Sequence, residues 1–560
     1  MSINKLFFTD LVGKDEIRII IEPIGTLVNT VKKLMNITGL NFAGKTLTGK
    51  SHTTFEAENP VLGSKIAPFF HEATQEEVDE AIQKANMAFK DYSRKSGKEK
   101  AAFLEAIADE IMALGEDLIQ RCKEETGLPE ARLNGERGRT INQLRMFSKL
   151  LQEGWWVDAR IDKADPSRHP APKPDVRSMQ RALGSVGIFG ASNFPFAFSV
   201  AGGDTASALA AGCTVVVKAH PAHPGTCERV ASAIIKAIEK CNMPDGTFSM
   251  VQGQSTSVGL AIVRHPLIKA IGFTGSFRGG KALFDEANAR TEPIPVYAEM
   301  GSTNPVIILP GALKERKESI AKDLTASVTL GVGQFCTNPG LVFTERSEEE
   351  ESFRELLSNT IKEASSGVML SGGLQQNYKR GLEKLSQTNG VTLLAEGKEE
   401  GQGYLGVPHV FQSTSESFFT DETLEEEVFG PSTLTVSVKD KQDLVKVIGK
   451  LKGHLTITVH GTDEDLKNYA DVIRSLEQKA GRLIINGYPT GVEVCHAMVH
   501  GGPFPATTDS RTTSVGTMAI TRFARPVCYQ NFPGHLLPDE LKDGNPLKIW
   551  RLVDGNHTKE

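Results

Sequence analysis

The chain has 560 residues, enough for two to four packing units, and its 63 Lys and Arg against 69 Asp and Glu leave a net charge of −6 with both signs scattered. That balance provides no basic footprint for nucleic acid or an anionic membrane, so small molecules are the expected partners. Seven cysteines, an odd number with no CxxC pair and no Cys/His ligand spacing, argue against a disulfide framework or a structural zinc site and fit a reducing cytoplasm.

Residues 1–34 mix a β-branched run (EIRIIIEPIG) with a short basic helix candidate (TVKKLM) and read as an appendage of unknown role. Asp10, Asp15, Glu16 and Glu22 fall where a signal peptide would be apolar, and no run approaches the ~18 apolar residues of a membrane span, so a cytoplasmic protein is expected. From Thr74 the pattern turns helical. Thr74 with Glu77, and Ser96 with Glu99, match the S/T-x-x-E capping box ahead of apolar positions at three- and four-residue steps. Pro129 suits the first turn of a longer helix that carries Ile141, Leu144, Phe147 and Leu151 on one face and stops near Gly154. Three helices therefore precede the first good strand. The stretch 163–174, KADPSRHPAPKP, is too rich in proline for a core and reads as a linker or an extended arm.

After Leu183 short apolar runs alternate with helical segments: SVGIFG, TVVVKAH, TFSMVQG, IKAIGFTG and IPVYAEM. This βαβ rhythm predicts a parallel sheet with helices on both faces. A second mixed set from NPVIILP through RLIINGY predicts a second α/β unit.

In open parallel sheets ligands bind at the carboxyl ends of strands, where helix N-termini and glycine turns bring N–H groups to phosphate. FTGSFRGG lies at such an end, with Gly275 and Ser276 at the turn and Gly279 and Gly280 inside the next helix; lacking G-x-G-x-x-G, taken alone it reads first as an ordinary glycine-rich turn. VVVKAHPAHPGT ends in Lys218, with His220, His223 and Thr226 close behind and no acid until Glu228. An acid there would accept from a ribose 2′-hydroxyl and repel a 2′-phosphate, so its absence permits NADP, unless Lys218 merely solvates a strand end. Cys336, in GVGQFCTNPG, is by itself either a small core residue or a nucleophile.

Taken together, GASNFPFAFSVAGGDTASALAAGCTVVVKAHPAHPGT, FTGS, EPIPVYAEMGSTNPV, GVGQFCTNPG and EEEVFGP resemble the aldehyde dehydrogenase superfamily in order and spacing, over about residues 35–535. Within it, KAHPAHPGT and PTGVEVCHAMVHGGPFPAT are similar to the NADP-using α-ketoglutaric semialdehyde (2,5-dioxovalerate) dehydrogenases. The resemblance implies an α/β fold of two parallel-sheet domains, a Rossmann-like cofactor domain (35–167 and 187–296) and a catalytic domain (297–500). To these it adds an oligomerisation arm with a C-terminal tail (168–186 and 501–560) and assembly as a homodimer or homotetramer. By residue, it implies Cys336 as the catalytic thiol, Glu299 as the general base, and Asn193 as the amide that completes an oxyanion hole with the Cys336 N–H. Lys218 would meet the adenosine ribose, Ser276 the pyrophosphate, and Glu427 with Phe429 the nicotinamide end, with His220, Gly275 and Gly280 also beside the cofactor. The implied activity is oxidation of α-ketoglutaric semialdehyde to 2-oxoglutarate, with NADP as cofactor, NAD used more weakly, and no metal.

The alternatives are a fatty or other semialdehyde in the same hydrolytic reaction, a CoA-acylating enzyme, against which Glu299 argues, and a catalytically inactive structural protein. A semialdehyde's remote carboxylate requires a cationic or multiply donating partner. The helix near 129–153 supplies Arg137, Arg139 and Arg145. In the family the end of this helix borders the substrate entrance, which makes Arg145 the expected anchor, against the alternative of a solvated surface arginine. The chain departs from the common pattern at GGPFPATTDS and at Phe277 and Arg278, and its six other cysteines read as structural.

Overall fold

The computed structural model describes residues 37–560, so the expectation placed on 1–34 lies outside the described residues. Two seven-stranded sheets organise the chain. In the first, the order is Val296–Glu299, Ile268–Thr274, Ser185–Phe189, Thr214–Lys218 and Phe248–Val251, followed by the hairpin Asn41–Ala43 and Thr46–Thr48. The five runs expected as strands all form, and all pair in parallel. Their side chains alternate between two cores: Val215 and Val217 face one cluster while Val216 faces the other. Burial on both faces explains why TVVVK reads as a continuous apolar run.

Strand order reverses beside Ser185–Phe189: the chain builds outward to Phe248–Val251, then returns to place Ile268–Thr274 on the other side. Such a switch point opens a crevice at the strands' carboxyl ends. Three of the expected site residues arise there on neighbouring strands. Asn193 follows Phe189, Ser276 follows Thr274, and Glu299 is the last residue of its strand. Val296–Glu299 completes this sheet, so the boundary expected at 296/297 cuts through a strand.

The second sheet runs Thr392–Glu396, His409–Thr414, Ser432–Val438, Leu341–Glu345, Val306–Ile308, His454–His460 and Ala480–Ile485, parallel except at its first edge. Cys336 and Glu427 sit in the loops that enter Leu341–Glu345 and Ser432–Val438.

Both capping boxes form. Thr74 caps Gln75–Tyr92 and Ser96 caps Gly97–Ala113, each exchanging bonds with the glutamate three residues on, arrangements typically worth ~1 kcal/mol apiece. Gly154 ends Glu130–Glu153 in the left-handed conformation, φ 72°. Pro129 is this helix's N-cap rather than part of its first turn, because its ψ of 141° is extended. Four helices, not three, stand here, since Gly115–Thr126 restarts the chain after Leu114 and only Leu118, Ile119 and Cys122 mark its apolar face. Four short strands between Asn41 and His71 precede them.

A further sheet joins Ala524–Gln530, Val176–Ala182, Arg160–Asp162, Arg551–Val553 and Asn556–Thr558. Residues 163–174 connect two of its antiparallel strands and are closed by reciprocal Asp165 and Lys173 backbone bonds of 3.0 and 2.8 Å, so the proline-rich stretch is a hairpin tip. The sheet begins at Arg160, before the expected 168, and Ser185 already belongs to the first sheet. Leu537, Leu541 and Ile549 of the tail pack into the chain's own first core. Among the described residues no helix is long and apolar enough to cross a membrane.

Candidate active site

The turn after Ser185–Phe189 is pinned by the long helix Glu130–Glu153. Glu136 Oε1 accepts from the N–H groups of Phe196 and Ala197 at 2.8 and 3.0 Å, and Arg132 Nη2 donates to the Asn193 carbonyl at 2.7 Å. Asn193 is thereby held with its side-chain Nδ2 donating to the Gln334 carbonyl at 3.0 Å, two residues from Cys336. One of its two N–H bonds makes that contact, which leaves the other for a ligand.

The Cys336 loop is tightly constrained. Gly331, Val332 and Gly333 all have left-handed φ, of 57°, 59° and 63°. For a β-branched residue such as Val332 this is a strained conformation of the kind that surrounding structure must enforce. Gly333 is required by proximity: a Cβ there would fall 2.2 Å from the Gly430 carbonyl. Asn304 Nδ2 donates to the Cys336 and Asn338 carbonyls at 2.9 and 3.0 Å, fixing the loop from the strand side.

Cys336, Glu299 and a third residue, His500, come together. His500 Nε2 lies 3.4 Å from Cys336 Sγ and 2.9 Å from Glu299 Oε1, and Ser514 Oγ donates to Glu299 Oε2 at 2.8 Å. The sulfur, nitrogen and oxygen all lie within 4.8 Å of one another. Burial pushes the Glu299 carboxyl up, but His500 and Ser514 more than offset it and hold it below the usual carboxylate range. Burial and the charge of Glu299 drive the Cys336 thiol well above its ordinary value. The resting group is therefore a thiol beside an ionised carboxylate, with an imidazole N–H in reach of both, an arrangement that can remove the thiol proton and then donate to the thiolate.

After Ile268–Thr274, Ser276 caps the helix Phe277–Asn288, its Oγ accepting from Gly279 N–H at 3.2 Å, and Gly275 N–H donates to the Glu299 carbonyl at 3.1 Å. An exposed serine at a helix N-terminus on the switch point fits a pyrophosphate. Lys218 Nζ donates to the Gly253 carbonyl at 2.6 Å, and burial pulls its pKa down to about 8. A carboxylate hidden from the local reading approaches it: Glu72 accepts from the Ser255 hydroxyl and from the Gln254 and Ser255 N–H groups, and its charge couples to Lys218. His220 stacks on His223 at 5.3 Å, and burial holds its pKa well below the ordinary value, so it faces this region as a neutral ring. Glu427 and Phe429 line a cavity with Ser302, Thr303, Gly333 and Asn338.

Two expected site residues lie elsewhere. Gly280 serves packing, since a Cβ there would fall 2.7 Å from Met300 Sδ, and its N–H closes the helix onto Ser276. Arg145 points to the neighbouring helix Gly97–Ala113, where it pairs with Glu105 at 3.3 Å and Asp109 at 3.2 Å, half-exposed. Arg278 is an exposed helix residue. Of the other cysteines, Cys122, Cys213 and Cys227 are buried, whereas Cys528 is exposed. His500 and Ser514 were not anticipated. His500 stands immediately before GGPFPATTDS, whose departure from the common pattern was the nearest local signal, and Ser514 stands four residues after it.

An aldehyde dehydrogenase family model matches residues 47–517. The chain is 48% identical over 522 residues to an alpha-ketoglutaric semialdehyde dehydrogenase of Azospirillum brasilense, covering 93% of this chain and 99% of that protein. It is also 48% identical over 503 residues to an alpha-ketoglutaric semialdehyde dehydrogenase of Acinetobacter baylyi, covering 90% of this chain and 95% of that one. The fold matches a betaine aldehyde dehydrogenase of Staphylococcus aureus in complex with NAD+, with a TM-score of 0.77 at 20% identity over 90% of this chain and 97% of that one.

Proposed function

The chain belongs to the aldehyde dehydrogenase family, and on that premise we propose that it oxidises α-ketoglutaric semialdehyde to 2-oxoglutarate with NADP. The observation that carries the chemistry is the meeting of Cys336, His500 and Glu299 at the crevice where Asn193 and Ser276 also emerge. The two relatives at 48% identity support the substrate.

Glu299, ionised by its contacts with His500 and Ser514, takes the thiol proton, and the His500 N–H is then free to hold the thiolate. Attack of Cys336 Sγ on the aldehyde carbon gives a thiohemiacetal whose oxyanion lies between Asn193 Nδ2 and the Cys336 backbone N–H. Each such preorganised donor typically lowers the barrier by roughly 3–4 kcal/mol. When bound, the nicotinamide supplies the acceptor for the hydrogen and electron pair that leave the aldehyde carbon. Ser276, Lys218, Glu427 and Phe429 are the residues that would hold the cofactor. Cys336 then carries a thioester, and Glu299, once it has released the thiol proton to solvent, takes a proton from the water that attacks it, expelling the thiolate and leaving a carboxylate.

Lys218, with no acid in the three positions that follow it, supports NADP over NAD. In this reading the first sheet and its helices serve the cofactor, the second sheet and its loops carry Cys336, and the sheet that joins Arg160–Asp162, Val176–Ala182 and Ala524–Gln530 serves assembly as a homodimer or homotetramer. NADPH formation across α-ketoglutaric semialdehyde, succinic semialdehyde, pentanal and octanal tests the substrate, and a kcat/KM highest for octanal would overturn it.

A further inference from the structure

Three arginines approach the substrate side of Cys336, and two are engaged. Arg132 donates to Asn193, and Arg482 donates to the carbonyls of Pro489 at 2.7 Å and Gly491 at 3.2 Å. Arg139 differs. Among the described residues it makes no hydrogen bond within 3.5 Å and no ion pair within 4.0 Å, although its Nε is shut off from solvent. Its guanidinium carbon stands 5.1 Å from the centroid of Phe198 and 5.8 Å from that of Phe194.

Those rings lead directly to the reacting groups. Phe198 lies 6.2 Å from the His500 ring, and Phe194 lies 5.4 Å from Phe335, the residue before Cys336. The charge of Glu136 acts on Arg139 most strongly, followed by those of Cys336, Glu299 and Glu493. Around Phe198, Val492, Val494 and Met498 form an apolar wall. A guanidinium enclosed this way keeps its charge and presents donors in a planar fork, and aromatic faces compensate only part of its lost hydration. On its own helix, Glu136 has Oε1 committed to Phe196 and Ala197, and its buried Oε2 makes no hydrogen bond with Arg139 or any other described residue.

We propose that Arg139 grips the carboxylate of the substrate at the end remote from the aldehyde, as the anchor that selects acidic semialdehydes over neutral aldehydes. This deepens the substrate reading above and rests on it. A carboxylate accepts two parallel N–H bonds from the fork, while the apolar wall excludes the water that would compete. A neutral aldehyde of the same length would leave the guanidinium unpaired, so discrimination arises from the unfilled cation as much as from the filled one.

The test compares wild type, Arg139→Gln and Arg139→Lys on α-ketoglutaric semialdehyde and on pentanal, with glutarate as a competitive inhibitor of pentanal oxidation. Arg139→Gln should raise KM for the semialdehyde by roughly 30-fold, as losing one partner of a buried charge pair does. It should lose at least about tenfold more kcat/KM on the semialdehyde than on pentanal, and glutarate should cease to inhibit. Arg139→Lys, which keeps the charge but not the fork, should fall between. Equal losses on both substrates would show that Arg139 only balances Glu136 and would overturn the anchor while leaving the substrate reading intact. Wild type that prefers pentanal would overturn the substrate reading itself, before any variant is made. Should Arg139→Gln fail to fold, glutarate inhibition undiminished in Arg139→Lys would count equally against the anchor.

Discussion

Glu299 and Glu427 both act on the Cys336 thiol, one from the end of a first-sheet strand and the other from the loop entering the second sheet, and their surroundings drive them apart. Glu299 is 3% exposed, yet His500 and Ser514 hold its carboxyl below the ordinary range. Glu427 is reached by solvent at the mouth of its cavity, but the cavity walls displace enough water to push its carboxyl up to about 7, opposed only by the Ser302 N–H. Loss of water raises both, and the partner decides the sign. One carboxylate is therefore ionised throughout the neutral range and suited to accept protons, while the other changes charge within that range.

The largest test of this contrast removes the ionised member. Glu299→Gln keeps the size of the side chain but cannot take a proton from water, so steady-state turnover should fall by roughly 10²–10⁴-fold, the range of a lost general base. The first turnover should still reduce one equivalent of NADP in stopped flow, more slowly because the thiol has also lost its base, with the chain then halted at the thioester. Equal loss of burst and steady state in a folded variant would remove the hydrolytic role.

A second variant turns one environment into the other. With His500→Ala, Glu299 keeps its burial and loses its imidazole partner, so its carboxyl should rise as that of Glu427 does. Because hydrolysis needs the ionised form, the acid limb of the kcat profile should move up by about a pH unit or more, with the rate at pH 6 falling roughly 10–100-fold. A profile that keeps its limb in place would mean that Ser514 alone sets Glu299.

The two environments also differed in how far the sequence disclosed them. Whereas Asn193 is marked only by the family resemblance, Ser276 and Lys218 are legible because each stands at the end of a parallel strand, and a strand-turn-helix rhythm can be read within a short window. The capping residues Thr74 and Ser96 are legible for the same reason. His500 is not, because it meets Cys336 and Glu299 across 164 and 201 residues, and no periodicity spans that distance. Glu72 reaches Ser255 across 183 residues and so escaped a search for acids near Lys218. The long helix was read correctly in extent, but Arg139 and Arg145 are six residues apart on it and only packing distinguishes them: one faces Phe194 and Phe198, the other Glu105 and Asp109.

A smaller effect is expected from the carboxylate that titrates. If Glu427 meets the nicotinamide end as proposed, its protonation as pH falls through about 7 removes a charge-assisted acceptor there. The apparent KM for NADP should therefore climb by a few-fold between pH 8 and 6, a modest change because solvent reaches the group. Glu427→Gln, which stays neutral, should flatten that slope and hold KM near the wild-type value at low pH. A slope unchanged in the variant would place the titration elsewhere.

The smallest expected effect extends the comparison to a cation. Lys218 is half-buried, and desolvation acts on it in the opposite direction, pulling it down to about 8, with the charges of Cys227 and Glu72 opposing. A 2′-phosphate is held best by the charged ammonium, so affinity for NADP should decline as pH rises past about 8, where the free enzyme loses that proton. A cofactor ending in a 2′-hydroxyl meets the same lysine without a full charge of its own and should lose much less. The ratio of kcat/KM for NADP over NAD should thus fall by about three- to tenfold between pH 7 and 9.5, and Lys218→Met should give a lower, pH-independent ratio. Pro221→Glu approaches the same site from the other side, adding a carboxylate that repels the phosphate and shifts the ratio toward NAD at every pH. If the wild type prefers NAD at pH 7, then Glu72 rather than Lys218 governs the ribose site, and Glu72→Gln should move the preference toward NADP.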